Sequence, residues 1–181
     1  MSMFPQDGGT LSPPSHVQDP WGTHGTTFGP VPSRRFGRSL GINNIPPKVC
    51  SYSCGYCQVG RTIQMRYDRR SFYGAAAIGA SVRNRVEAAR RTGNEIDYLS
   101  FVPDGEPTLD AGLLATIRSL KSLGIPIAVI TNGSLLAQPG VRAALALASR
   151  VSLKVDAVRE EVWRRVNRPH RRLDLEAIPR A

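Results

Sequence analysis

The sequence predicts an α/β fold of βαβ units around a parallel sheet. Three observations carry this. From about residue 74 onward, amphipathic stretches alternate with short apolar runs, the order expected of βαβ units around a parallel sheet. In the run 151–156, Val151, Leu153 and Val155 alternate with Ser152, Lys154 and Asp156, so one face is apolar and the other polar. In a barrel that polar face turns to the interior. Finally, 181 residues, 41% of them hydrophobic, are enough for a single core.

Residues 1–28 are rich in Pro, Gly, Ser, Thr and Gln and have neither a helical nor a strand period, which predicts a flexible, disordered arm. Trp21 and Phe28 are its candidate anchors. The first strand is expected over 39–42, after which Pro46-Pro47 forbids helix and steers the chain into a loop. Beyond that loop Arg61, Arg66, Arg69 and Arg70 are interleaved with Tyr67, Phe72 and Tyr73. This stretch reads either as a contact to nucleic acid or a ligand carboxylate, or as a solvated linker with anchoring aromatics; the second is favoured because nothing fixes a face.

Over 74–91, Ile78, Val82, Val86 and Ala89 recur at helical spacing, and Thr92-Gly93-Asn94 ends the helix. Residues 96–102 form a buried strand leaving through the turn Asp104-Gly105-Glu106-Pro107. A second helix over 110–123 puts Leu113, Leu114, Ile117 and Leu120 on one stripe, with Gly124 past its end. A strand over 125–131, the tight turn Asn132-Gly133, a helix over 141–149, the strand 151–156 and a helix over 160–166 follow. The remaining stretch carries the basic cluster Arg168, His170, Arg171 and Arg172. Lys154 and Asp156, if they point into a closed sheet, must pair with each other or meet a polar ligand there; a ligand is favoured at a strand's end.

The net charge of +10 suits a polyanion such as RNA, although arginine-rich usage can also follow from codon composition. No run approaches the roughly 18 apolar residues of a membrane span, and the start lacks the pattern of a secretory signal. Clustered free thiols imply a reducing compartment, so a cytoplasmic protein with no membrane partner is expected.

All three cysteines lie in Cys50-Ser51-Tyr52-Ser53-Cys54-Gly55-Tyr56-Cys57. Structural zinc needs four tetrahedral ligands, and His24 and His170 have no finger-like spacing to this loop, so a closed zinc site fits poorly. Three soft thiolates at short spacing suit an iron–sulfur cluster. With three protein ligands, a four-iron cluster keeps one iron open for chemistry. Ser53 and Gly55 keep the loop small, which should let backbone N–H groups approach the sulfurs.

The C-x3-C-x2-C pattern, with the aromatic Tyr56 before the last cysteine, resembles the cluster loop of the radical S-adenosylmethionine (SAM) superfamily. The flanking Gly29-Pro30-Val31-Pro32-Ser33-Arg34-Arg35, Ser39-Leu40-Gly41-Ile42 and Ile45-Pro46-Pro47-Lys48 resemble a subgroup related to the wybutosine-type tRNA-modifying enzymes. The resemblance implies a 4Fe–4S cluster held by Cys50, Cys54 and Cys57, with SAM chelated on the open iron and cleaved reductively to a 5′-deoxyadenosyl radical that abstracts hydrogen. It implies an external electron donor and an unidentified substrate, with tRNA or another polyanion as a candidate.

Further roles follow from the same resemblance. Asp104-Gly105-Glu106-Pro107 is similar to the family's G-G-E-P turn, with Asp104 in place of the first glycine, and assigns Glu106 and its neighbouring backbone, Gly105 and Pro107, to the SAM amino group. Asn132 falls where the family often places SAM-facing polar groups, although a plain strand-to-helix turn is an equal reading. Lys154 and Asp156 resemble residues reaching the SAM ribose or carboxylate, and Tyr56 would offer its backbone to the adenine while its ring shields the cluster. The family's partial barrel usually has six strands, whereas about four are readable here, so residues 29–181 are expected to form a core domain incomplete at its C-terminus, with an open last strand. The alternative is a truncated, non-catalytic module in which a cluster or zinc shapes a basic RNA-binding surface.

Overall fold

Alternating apolar runs and helical stripes assemble into one sheet with helices on its outer face. The computed structural model describes residues 25–178. In chain order the elements are strands β1 (Thr27–Ser33), β2 (Gly37–Ile42), β3 (Val49–Cys50) and β4 (Gln64–Met65), helix α1 (Ala75–Arg91), strand β5 (Tyr98–Phe101), helix α2 (Leu113–Leu120), strand β6 (Ile127–Thr131), helix α3 (Pro139–Ala146), strand β7 (Arg150–Leu153) and helix α4 (Glu160–Asn167). The main sheet has the order β1-β2-β5-β6-β7. Its pairs β2–β5, β5–β6 and β6–β7 are parallel, as the four expected strands require.

One face of each central strand is apolar. Leu40, Ile42, Leu99, Phe101, Ile127 and Val129 are buried in a single cluster with Ile78, Val82 and Val86 of α1, Leu113, Ile117 and Leu120 of α2, and Val141 and Ala144 of α3. Those helix residues sit at the three- and four-residue spacings legible in the sequence. The opposite face is small and polar, with the Ser39 and Ser100 hydroxyls joined at 2.7 Å out of solvent. Helix ends follow local rules. Pro139 opens α3, Gly124 ends the turn of 3-10 helix after α2 in the left-handed region, and α4 carries Glu160 and Glu161 in its first turn with Arg164 and Arg165 in its last, complementing its dipole.

Strand β1 is absent from the sequence reading. It pairs antiparallel with β2, and a Cβ on Gly41 would run into the ring of Phe28, so Phe28 lies flat where glycine leaves room. The arm expected over 1–28 lies mostly outside the described residues, Trp21 included; its last two residues, Thr27 and Phe28, open β1.

The turn after β1 crosses the floor of the sheet. Arg35 Nη1 donates to Ser152 Oγ on β7 at 3.2 Å, and Arg150 Nη1 donates to the Arg35 carbonyl at 3.4 Å. Phe36 is buried beside it against Tyr98, ring centroids 5.3 Å apart. Arg34-Arg35 and Phe36 therefore belong to the end of the sheet opposite the cysteines.

Strand β7 corrects one expectation. It ends at Leu153, so Lys154 and Asp156 lie beyond it, exposed, and are not buried charges in need of mutual pairing. Ser152 alone of the polar set reaches the inner floor. The apolar set is poorly covered: Val151 is 37% and Val155 63% exposed, and among the described residues β7 pairs only with β6.

The basic stretch after the cysteines proves largely to be an anchor. Arg69 donates through Nε to the Thr108 carbonyl at 2.8 Å and through Nη2 to the Asp110 carbonyl at 2.9 Å, while Arg70 lies over Phe72. Tyr67, Phe72 and Tyr73 pack against the core, and Arg61 stays exposed.

Candidate metal centre

Parallel strands place their following loops at one edge, which is where the site forms. Loops after β2, β5, β6 and β7 enclose a cavity of about 520 Å³ lined by Cys50, Cys54, Cys57, Tyr56, Gly105, Glu106, Asn132 and Lys154 among others. Eight of the ten residues singled out from sequence thus share one cavity. Pro107 is buried in the turn beneath it, and Asp156 stands behind Tyr56.

The cysteine loop is held by hydrogen bonds on both sides. On one side Lys48 N donates to Asp104 O and Glu106 N to Val49 O, which knits the turn after β5 onto the entry to the loop. Gly105 is needed there, because a Cβ would collide with the Val49 carbonyl. Asp104, in the place of a glycine, takes no left-handed backbone, so the departure from the family pattern leaves this turn undisturbed. On the other side the loop leans on the end of α4. Ser53 N donates to the carbonyls of Asn167 and Arg168, Gly55 N to that of Val166, and His170 N to Ser51 O. The Ser53 and Gly55 amides are thus spent on carbonyls at the C-terminal end of α4, while the expected approach of a backbone N–H to sulfur is made by Tyr52 N, 3.5 Å from Cys50 Sγ.

Tyr52 and Trp163 fill the space behind the loop. Both are buried, with rings edge to face at 5.8 Å and Trp163 Nε1 donating to Tyr52 Oη at 3.1 Å.

The thiols differ in surroundings: Cys50 and Cys54 are half-buried and Cys57 is exposed. Burial pushes the Cys50 thiol up to about 12, and the nearby Glu106 adds to this. Its thiolate therefore needs a cation, which a metal supplies by displacing the proton. Among the described residues no three His, Cys, Asp or Glu side chains converge on a position for a single ion. A four-iron cluster takes each thiolate on a separate iron, and three soft thiols lining one cavity fit such a group.

Glu106 is 1% exposed and takes three protein donors on Oε1 and one on Oε2, which keeps a second acceptor site on Oε2. Oε1 accepts from Thr108 N at 3.1 Å, from the Thr108 hydroxyl, and from Thr131 Oγ1 at 2.6 Å; Oε2 accepts from Asn132 N at 2.8 Å. Burial raises its pKa, and these four donors oppose the rise. Glu106 therefore ties the turn after β5 to the turn after β6 and fixes Asn132.

At the mouth, Tyr56 is 44% exposed. Lys154 Nζ sits 4.0 Å from its ring centroid, and its hydroxyl donates to Asp156 Oδ2. Lys154 and Asp156 thus meet through Tyr56.

Sequence reasoning missed Ser51, Ser134 and Asn167. Ser51 and Ser134 are joined at 2.7 Å, and Asn132 Nδ2 donates to Ser51 Oγ at 2.9 Å. Asn167, 1% exposed, donates to Asp156 Oδ2 at 2.6 Å and lies 3.5 Å from Cys54 Sγ. An asparagine at a helix end reads as a cap, so no local signal pointed to the loop more than a hundred residues away.

Comparison with known proteins agrees with this geometry. Residues 44–180 match the family model described as the radical SAM superfamily. The chain is 52% identical over 151 residues to the UPF0026 protein MJ1312 of Methanocaldococcus jannaschii, covering 83% of this chain and 46% of that protein. It is 37% identical over 158 residues to the UPF0026 protein slr1464 of Synechocystis, covering 86% and 57% respectively. The chain spans about half the length of these curated relatives. Its fold is similar to that of a solved structure, "Structure of TYW1 with a lysine-pyruvate adduct bound", at a TM-score of 0.53 and 16% identity, covering 74% of this chain and 47% of that one. Three cysteines in one loop, a strand-end cavity that gathers them and a match over most of its residues place this chain in the radical SAM superfamily.

Proposed function

We propose that this chain forms the catalytic core of a radical SAM enzyme. Cys50, Cys54 and Cys57 would hold a 4Fe–4S cluster with SAM on the open iron. When bound and reduced by an external one-electron donor, this pair supplies a 5′-deoxyadenosyl radical that takes hydrogen from a substrate. The observation that supports the reading is the meeting of all three thiols with Glu106 in one cavity at the C-terminal ends of parallel strands.

The protein's own groups divide the work. Glu106 presents a buried carboxylate beside the thiols, suited to a cationic amino group, with Asn132 fixed beside it. Tyr56 covers the mouth, and Lys154 and Asp156 behind it suit the carboxylate and ribose of the same ligand. Tyr52 and Trp163 close the back of the loop to water. Exposed Arg61 and cavity-lining Lys48 make a polyanion, tRNA included, a substrate class to test by the salt dependence of binding.

Anaerobic reconstitution, followed by iron and sulfide analysis and a search for 5′-deoxyadenosine with SAM and a reductant, tests the proposal. A four-iron complement, a spectrum perturbed by SAM and release of 5′-deoxyadenosine are expected. Stoichiometric zinc with no iron uptake would overturn it.

A further inference from the structure

We infer that Asn132 and Asn167 donate side-chain amide N–H groups to the sulfurs of Cys50 and Cys54 and thereby raise the reduction potential of the cluster. The inference rests on the cluster reading above and adds to it a pair of positioning residues from outside the cysteine loop. Asn132 Nδ2 lies 3.8 Å from Cys50 Sγ, and Asn167 Nδ2 lies 3.5 Å from Cys54 Sγ.

Neither contact is incidental to a mobile side chain. The Asn132 amide is held at both ends: its Nδ2 donates to the buried Ser51 hydroxyl at 2.9 Å, and its Oδ1 accepts from Ser134 N at 3.0 Å. Ser51 is in turn joined to Ser134, and Asn132 N is bound to Glu106. Asn167 is equally constrained. Three acceptors gather around its Nδ2: Cys54 Sγ, Tyr56 Oη at 3.2 Å and Asp156 Oδ2 at 2.6 Å. Turning the amide over would set its oxygen against a carboxylate and a sulfur. The fold instead leaves Asn167 Oδ1 buried with no hydrogen-bond partner, a cost consistent with keeping the NH2 on the sulfur side.

An added electron increases the negative charge on the cluster's sulfurs. A fixed N–H dipole aimed at a ligating sulfur therefore stabilises the reduced form more than the oxidised one, and removing it lowers the potential. The two donors come from separate elements, one after β6 and one at the end of α4, so each can be removed without touching the other.

The test is a redox titration of the reconstituted full chain, followed by electron paramagnetic resonance and run without SAM, on the wild type, Asn132→Leu, Asn167→Leu and the double variant. Each single change is expected to shift the one-electron equilibrium about tenfold toward the oxidised form, equivalent to ~59 mV, with the double variant additive. Single variants with wild-type iron and sulfide content and an unchanged potential would overturn the inference. Should Asn167→Leu lose the cluster because the α4 contact yields, Asn132→Leu alone decides. A wild-type protein that takes up no iron would instead remove the cluster reading itself, and the inference with it.

Discussion

Trp163 on α4 donates its indole N–H to the hydroxyl of Tyr52, which lies between the first and second cysteines, at 3.1 Å. The bond joins a helix near the end of the described chain to the middle of the cysteine loop, both partners out of solvent. Tyr52→Phe strands the indole donor and is expected to cost about 1–3 kcal/mol, whereas Trp163→Ala also leaves a cavity and should cost about 3–5 kcal/mol. Denaturant unfolding of the metal-free chain measures both, and the double change should cost less than the sum of the two.

Any one of Cys50→Ala, Cys54→Ala or Cys57→Ala should abolish retention of iron on gel filtration after reconstitution, because two thiolates leave the cluster held by one edge only.

The Cys50 thiol makes a pH prediction. Its pKa rises from an ordinary 9.0 to about 12 on folding. Between those values the folded chain keeps a proton that the unfolded chain has lost, so stability of the metal-free protein must fall as pH climbs from 9 toward 12. Cys50→Ala should flatten that part of the stability–pH curve. Cluster loading works against the same proton, so uptake should release it and be favoured by rising pH.

Glu106→Gln tests the buried carboxylate. Glutamine can keep its carbonyl where Oε1 meets three donors but then turns an NH2 toward the Asn132 N–H, which loses its acceptor, so a loss of about 1–3 kcal/mol of stability is expected. The loss of a charge-assisted bond to a cationic amino group should in addition weaken SAM binding roughly ten- to a hundredfold. The two effects are separable by calorimetric titration of the folded variant. Because burial raises the Glu106 pKa, its carboxylate form fills only as pH rises above the ordinary range near 4.5, and SAM affinity should rise with it in the wild type but not in the variant.

The outer strand predicts solution behaviour. Val151, Val155 and Val158 are 37%, 63% and 74% exposed along and beyond β7, whose outer edge meets no other strand among the described residues. Such an edge templates pairing with other chains. Size-exclusion chromatography should show self-association of the 181-residue chain, reduced by Val151→Lys.

Most of the helices and the four parallel strands were legible because each carries a local period: Ile78, Val82 and Val86 at helical spacing, or Leu99 and Phe101 in a short apolar run. Strand β1 was not legible, since Gly29, Pro30 and Pro32 mask any alternation and its pairing depends on Gly41 having no side chain. The site was half legible. Cysteine spacing and the Gly105-Glu106 turn stand out in the chain itself. Ser51, Ser134 and Asn167 do not, because their meaning comes from partners 83 and 113 residues away in sequence.

The contact between Arg35 and Ser152 spans 117 positions of chain. The hairpin tip between β1 and β2 therefore waits for β7 before this hydrogen bond can close. Separations of this kind slow folding, because the entropy of ordering the intervening chain is spent before the contact rewards it. Among the described elements this contact closes only once β5, β6 and β7 have taken their places beside β2, so this side of the sheet is completed late.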